Sequence, residues 1–102
     1  NWVSPAEVEN ALLSHPAVLE AAVVGVTDDA GLMKSMAFIV CGPGAMPNET
    51  LATELKEFTK ARLAPYKYPR SVVFVRELPK TATGKVQRHI LRERATSSPP
   101  QS

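Results

Sequence analysis

Several features that would indicate a particular class of protein are scarce in this sequence. Cys41 is the only cysteine among the 102 residues, so no disulfide can form within the chain, and a reducing, cytoplasmic setting is expected. The longest apolar runs are short, such as AAVV at residues 21–24, whereas a membrane-spanning helix needs about 20 apolar residues. Residues 1–10 also lack the basic and then apolar layout of a secretory signal. We therefore expect a small cytoplasmic domain with one modest core and no membrane contact.

Each half of the chain is poor in charge of one sign. Residues 1–55 contain one basic residue, Lys34, and seven acidic ones, whereas residues 56–94 contain eleven basic and three acidic residues. The net charge is only +2, so the asymmetry is hidden in the total. It favours an anionic partner for the second half, but lysines and arginines that merely solvate helix faces would produce the same pattern.

Turn residues and apolar periodicity divide the chain into three helices, three strands and a turn. Ser4 followed by Pro5 and Glu7 is a helix-start signal, in which Ser4 caps the helix and Glu7 completes a capping box. Pro16 ends this helix, and Asn48 caps the next one. In chain order, the predicted elements are a helix over residues 4–16, a strand over 17–26, a turn at 28–31, a strand over 34–42, a helix after Asn48, a strand over 71–78 and a helix over 86–95.

This order predicts a small α+β domain in which a three-stranded sheet packs with helices. The two strands that flank the turn at 28–31 should pair as a hairpin. The domain is expected to span residues 1–94, and the Ser/Pro-rich residues 95–102 are expected to form a disordered tail. The start at Asn1 has no terminal signature, so we expect a fragment of a longer chain. The apolar stripes predicted for the first two helices are formed by Val8, Leu12, Leu51, Leu55, Phe58 and Leu63.

The sequence does not support a metal site or a nucleic-acid site. His15 ends one predicted helix and His89 begins another, and neither has a second ligand at a useful spacing. Both are therefore predicted to be surface or capping histidines. The few aromatic residues do not match an RNA-recognition strand, and no helix-turn-helix or zinc spacing is present. Cys41 is expected to pack within a strand rather than to act as a nucleophile.

The segment PKTATGKVQR, residues 79–88, is the strongest candidate for a functional site. It differs from a phosphate-binding P-loop, because Pro79 replaces the first glycine and Val86 replaces the hydroxyl residue. Two interpretations remain from the residues alone. One is a plain surface turn. The other is a catalytic lysine on a loop, in which Gly84 gives the backbone freedom and Lys85 provides a mobile point charge for carboxylate and phosphate oxygens.

Three separated segments resemble one family. WVSPAEVE (2–9), PYKYPR (65–70) and LPKTATGKVQRHILR (78–92) are similar to the C-terminal domain of the adenylate-forming enzymes, the acyl-CoA synthetase superfamily. Residues 79–88 resemble its motif P-x-T-x-x-G-K-x-x-R. Within the family, the segments DDAGLMKSMAFIV (28–40) and LAPYKYPR (63–70) are most similar to benzoate-CoA ligases and related aryl-CoA ligases.

The resemblance implies a two-step reaction. A carboxylic acid, here an aromatic one, attacks the α-phosphorus of MgATP to give an acyl-adenylate, and coenzyme A then forms the thioester and releases AMP. In the family the mobile C-terminal cap turns a different face to the N-terminal domain in each step. That N-terminal domain, absent from this chain, is the partner of the cap and holds most of the substrate contacts. The fragment alone is therefore expected to be inactive.

The resemblance also implies roles for individual residues. Lys85 would be the catalytic lysine of adenylation, and a protein acetyltransferase could act on it as a regulatory partner. The rival interpretation is a stand-alone anion-binding or protein-interaction module without catalysis. The residues that the resemblance assigns to the ATP and adenylate loop are Thr81, Thr83 and Gly84, and those assigned to coenzyme A are Trp2, Tyr66, Lys67 and Arg70.

Overall fold

The computed structural model describes residues 4–64 and 67–97, and it has the predicted α+β architecture of helices on a three-stranded sheet. None of the described helices is long and apolar enough to cross a bilayer. In chain order, the elements are α1 (Pro5–Leu13), β1 (Val18–Thr27), β2 (Met33–Cys41), α2 (Glu49–Arg62), β3 (Ser71–Phe74) and α3 (Arg88–Ser97).

The sheet has the strand order β1-β2-β3, so β1 and β3 are its edges. β1 and β2 pair antiparallel around the turn at residues 28–31, which confirms the predicted hairpin. β3 lies parallel to β2, with Met36 opposite Ser71 and Ile39 opposite Phe74. A parallel pair needs a long crossover connection, and α2 provides it.

The two predicted helix caps have different outcomes. The Asn48 side chain accepts a hydrogen bond from the Leu51 N–H at 2.9 Å, which confirms the cap of α2. Ser4 is the N-cap of α1, but its side chain makes no capping hydrogen bond, so the predicted capping box is wrong. The Glu7 carboxylate instead accepts from Lys67 Nζ at 2.9 Å. α1 also ends at Leu13, before it reaches Pro16.

Two apolar clusters hold the helices to opposite faces of the sheet. Alternate residues of β1 point to opposite faces, so Val23 joins the first cluster while Ala22 and Val24 join the second. The first cluster contains residues of α1 and α2, and the second contains Leu91 of α3. In α2, Leu51 and Leu55 are buried as predicted, and Ala52 and Thr59 are buried with them, whereas Phe58 and Leu63 are only half-buried.

The last third of the chain departs most from the predicted element bounds. β3 ends at Phe74, and Leu78 is buried in the second cluster rather than in a strand. α3 begins at Arg88 because Val86 is paired with Lys80 in an antiparallel bridge. The helix extends to Ser97, so residues 95–97 belong to it and not to a tail. Disorder at residues 98–102 remains a prediction, since these lie outside the described residues.

Candidate functional site

The segment that contains Lys85 forms a short hairpin between β3 and α3. The Gln87 N–H donates to the Pro79 carbonyl at 2.9 Å, and Lys80 and Val86 form the bridge above it. The Thr81 N–H donates to the Lys85 carbonyl at 2.9 Å, which closes the hairpin near its tip. Lys85 is therefore the first residue after the turn. Hydrogen bonds join the two strands of the hairpin from Lys85 down to its base at Pro79 and Gln87.

The two threonines of the loop hold the turn together. The Thr81 hydroxyl accepts from the Lys85 N–H at 3.1 Å and lies 3.1 Å from the Thr83 hydroxyl. The Gly84 N–H donates to the Thr81 carbonyl at 2.9 Å. In this structure the threonine side chains thus organise the backbone that precedes and contains Lys85.

Glycine is required at position 84 by the backbone conformation and not by steric crowding. Its φ is +90°, a region in which residues with a Cβ are strained. A Cβ placed there would have no heavy atom within 4 Å, so nothing crowds the position. The turn therefore selects glycine for its conformation.

The tip of the hairpin, which carries Lys85, is exposed to solvent. Residues 80–85 are all exposed. Within residues 4–64 and 67–97, no hydrogen bond or ion pair engages the Lys85 side chain, and only its backbone is fixed. The loop thus presents a cation at a defined place on the surface.

The feet of this hairpin are attached to the domain by two ion pairs. Lys80 Nζ lies 2.8 Å from Glu20 Oε1, and both side chains are more than one-third exposed. The Arg88 guanidinium contacts both carboxylate oxygens of Glu9, at 2.6 and 2.7 Å. Glu9 Oε2 also accepts from the Val23 N–H at 2.8 Å.

Sequence reasoning missed Glu9 and assigned no role to Arg88. A signal was present, because Glu9 lies between Val8 and Leu12 on the side of α1 that is buried, and a carboxylate on a buried face needs a partner. The partner could not be identified from the sequence, since Arg88 lies 79 residues further along the chain.

The residues assigned to coenzyme A binding are only partly described. Trp2 and Tyr66 lie outside the described residues. Lys67 Nζ is 2.9 Å from Glu7 Oε1 in a partly exposed ion pair. Arg70 is exposed, and its N–H donates to the Ser35 carbonyl at 2.9 Å, beside the start of β3. The structure therefore places two of the four residues, on the connector that follows α2.

His15 was predicted to be a surface or capping histidine, and the surface position is wrong. The side chain is 8% exposed and packs edge-to-face on Phe58, with ring centroids 4.8 Å apart. Nδ1 accepts from the Ala17 N–H at 3.0 Å, so Nε2 carries the proton that faces Glu54 Oε2 at 2.6 Å. The histidine thus links α1 to α2. His89 is exposed, as predicted.

No metal cluster and no activated cysteine are found in the described part of the chain. No group of three or more His, Cys, Asp or Glu side chains there could hold a metal ion. Cys41 is the last residue of β2 and packs against the first apolar cluster. Burial raises the pKa of the Cys41 thiol, which opposes formation of a nucleophilic thiolate. The packing role expected for this residue is therefore the better one.

Comparison with known proteins identifies the family. The AMP-binding enzyme C-terminal domain family matches residues 7–85, and the chain belongs to this family. The matched region begins in α1 and ends at Lys85, so it includes Glu9, Lys80 and the candidate loop, and it ends three residues before Arg88.

Individual relatives are acid–CoA ligases. The chain is 60% identical over 91 residues to benzoate–CoA ligase of Thauera aromatica, covering 89% of this chain and 17% of that protein. It is 54% identical over 92 residues to 4-hydroxybutyrate–CoA ligase 1 of Metallosphaera sedula, covering 90% of this chain and 16% of that protein. The crystal structure of a benzoate CoA ligase from Burkholderia xenovorans LB400 superposes with a TM-score of 0.85 at 62% identity, over 91% of this chain and 19% of that one. The chain thus spans less than one-fifth of the length of these relatives.

Proposed function

We propose that this chain is the C-terminal cap of an ATP-dependent acid–CoA ligase of the benzoate–CoA ligase type, and that Lys85 is its catalytic lysine for acyl-adenylate formation. The observation that supports this most is the presentation of Lys85. Its backbone is held by the Thr81 side chain and carbonyl contacts of the hairpin, while its ammonium is exposed and unengaged by any described group. This arrangement supports the proposal because it fixes the backbone of Lys85 and leaves the charge available to an anionic substrate.

The chemistry of adenylation explains why a lysine should be presented in this way. A carboxylate that attacks the α-phosphorus of ATP brings two anions together, so the enzyme must position them and neutralise charge. An ammonium on a flexible stem is a compact charge that can meet several oxygens in one transition state. When it stands on the loop of a movable domain, it can be withdrawn before coenzyme A enters. Mg²⁺ accompanies ATP as part of the substrate, and we assign the contacts to both mainly to an N-terminal domain.

The coenzyme A step would use the connector after α2. Lys67 and Arg70 supply cations for the phosphates of coenzyme A, together with Trp2 and Tyr66 as aromatic contacts. The ion pair of Lys67 with Glu7 does not prevent this, because an exposed pair contributes only about 0–1 kcal/mol. A polyanion can therefore compete for the lysine.

An aromatic acid is the substrate class that we propose. Two ligases named for benzoate are 60% and 62% identical to this chain over the shared region. However, a ligase named for 4-hydroxybutyrate is still 54% identical over this region, so the similarity of the cap does not distinguish one acid from another. The pocket that selects the acid belongs to the N-terminal domain in this proposal, and the 102-residue chain alone should form no thioester from acid, ATP and coenzyme A. A thioester product from the purified chain would contradict that.

Regulation by acetylation of Lys85 follows from its exposure. Acetylation removes the charge on which the proposed role depends. Mass spectrometry of the full-length protein after treatment with a protein acetyltransferase should find Lys85 modified in step with the loss of adenylation. Loss of activity with only other lysines modified would contradict this regulatory role.

The decisive experiment separates the two half-reactions in the full-length protein. Lys85→Ala should slow single-turnover acyl-adenylate formation by about 10²–10³-fold, and Lys85→Arg should fail almost as badly because a planar fork does not replace a point charge. Thioester formation from supplied acyl-adenylate should be unchanged. Arg70→Ala should have the converse effect. Lys34→Ala, which removes a lysine that pairs with Asp28 in the β1–β2 turn, is the matched control.

Two results would contradict the proposal. Equal losses in both half-reactions for Lys85→Ala would assign the lysine to folding or domain docking. Unchanged adenylation would favour the non-catalytic binding module.

A further inference from the structure

We propose that Glu9 is a positioning residue for Lys85: through Arg88 it holds the foot of the Lys85 hairpin against β1, and adenylation depends on this ion pair. The inference rests on the catalytic role proposed for Lys85. It adds to that role a residue on a different helix, 76 positions earlier in the chain.

The geometry of Glu9 is that of a fixed anchor. Its side chain is only 12% exposed and makes contacts in two directions. One oxygen accepts from the Val23 N–H, on the side of β1 where no other strand pairs. Both oxygens meet the Arg88 guanidinium, at 2.6 and 2.7 Å for Nη2 and 3.3 Å for Nε. Glu9 therefore connects a backbone group of the sheet edge to the first residue of α3.

Arg88 transmits this anchoring to Lys85 through the two residues that lie between them. The intervening Val86 and Gln87 are themselves bonded to Lys80 and Pro79 across the hairpin. A movement of Arg88 must therefore move the hairpin as a unit, together with its tip. A displacement of about 1 Å at a reacting group can cost about 10²-fold in rate, so the pair does not need to touch the substrate to control the reaction.

The second foot of the hairpin is held less firmly. Lys80 and Glu20 form an ion pair at 2.8 Å, with 39% and 36% of their side chains exposed. Exposed pairs contribute little. In the other pair the Arg88 side chain is 40% exposed, but Glu9 is only 12% exposed, and its carboxylate accepts from the Arg88 guanidinium and from the Val23 N–H. Positioning should therefore depend on Glu9 and Arg88 more than on Glu20 and Lys80.

The test uses Glu9→Gln in the full-length protein, because glutamine keeps the shape and an oxygen for the Val23 N–H but removes the charge that binds Arg88. We expect acyl-adenylate formation to fall by about 10²-fold, with thioester formation from supplied acyl-adenylate unchanged. Glu20→Gln should lose less, and Glu57→Gln, the same substitution at an exposed site of α2, should lose nothing. The double variant of Glu9→Gln with Arg88→Gln should be no slower than the slower single variant, since residues that act through one interaction are not additive.

Each result decides the question. If Lys85→Ala abolishes adenylation and Glu9→Gln does not impair it, the positioning role is refuted while the proposed function stands. If Lys85→Ala leaves adenylation intact, the proposed function fails and the positioning role fails with it. Equal losses in both half-reactions for Glu9→Gln would show a structural role only. If Glu9→Gln does not fold, Arg88→Lys replaces it in the test, because lysine keeps the charge but loses the bidentate contact. Arg88→Lys should then slow acyl-adenylate formation and leave thioester formation unchanged. Any other result refutes the inference.

Discussion

Replacement of Gly84 by alanine tests whether the conformation of the hairpin, and not merely the presence of Lys85, determines adenylation. The φ of +90° at Gly84 costs a residue with a Cβ about 1–2 kcal/mol. No heavy atom lies within 4 Å of the added Cβ, so steric overlap adds nothing to this strain. Two exposed hydrogen bonds oppose relaxation of the turn, from Gly84 N–H to the Thr81 carbonyl and from Lys85 N–H to the Thr81 hydroxyl. Each contributes about 0.5–1.5 kcal/mol.

Together the two hydrogen bonds contribute about 1–3 kcal/mol, a range that overlaps the strain of about 1–2 kcal/mol. The turn of Gly84→Ala should therefore populate relaxed conformations in which Lys85 is displaced. We expect the free energy of unfolding to fall by no more than about 1–2 kcal/mol, while adenylation falls by about 10²-fold. Urea unfolding of the chain and single-turnover adenylation by the full-length protein measure the two effects. Gly84→Asn should be milder in both, because asparagine tolerates the left-handed region better.

The chain provides two matched controls for this substitution. Gly31 and Gly44 have φ values of +82° and +85°, and again no heavy atom lies within 4 Å of an added Cβ. Gly31→Ala and Gly44→Ala should therefore lower stability by the same amount as Gly84→Ala but leave adenylation unchanged. If all three variants slow adenylation equally, general destabilisation is the cause and the reasoning from loop geometry is wrong.

Two further predictions concern buried and titrating groups. His15→Ala should lower the free energy of unfolding by about 2–4 kcal/mol, because it leaves the Ala17 N–H without its acceptor and removes the contact with Phe58. Glu54→Ala should lower it by less than about 1 kcal/mol. Equal losses for the two variants in denaturant unfolding would contradict the assigned network. A hydrogen bond from Lys34, with the Leu32 and Ala30 N–H groups, holds the pKa of Asp28 below its ordinary value of 3.8. This contribution to stability is present above pH 3.8 and is lost as the pH falls through the lower, folded-state pKa. Asp28→Asn should thus melt below the wild type at neutral pH and equal to it in strong acid, and a difference that persists in acid would refute this assignment.

Local signals in the sequence predicted the elements whose stabilising contacts are also local. Asn48 caps α2 through a contact three residues away. The β1–β2 turn is closed by Asp28, whose carboxylate accepts from the N–H groups two and four residues later. In both cases the residue type and its spacing predict the contact, so the cap and the hairpin could be predicted without knowledge of the tertiary structure.

Contacts between distant residues were responsible for the failures. The capping box of α1 is absent because the Glu7 carboxylate binds Lys67, 60 residues away. His15 is buried because Glu54, 39 residues away, and Phe58 cover it. The hairpin loop could be recognised from its motif, but its attachment through Glu9 and Arg88 could not, since nothing near Glu9 in the sequence indicates which cation compensates it.

The charge asymmetry between the two halves of the sequence has more than one cause, because ion pairs within the fold account for part of it. Three of the acidic residues in the first half, Glu7, Glu9 and Glu20, pair with Lys67, Arg88 and Lys80 of the second half. These three pairs join α1 and β1 to the later segments, and they account for part of the asymmetry without any external anion. The case for a polyanionic substrate depends instead on cations that the described fold leaves without an acidic partner. Lys85 and Arg70 are two such residues within the described ranges. Lys85→Ala should therefore impair the adenylation step, and Arg70→Ala should impair the coenzyme A step.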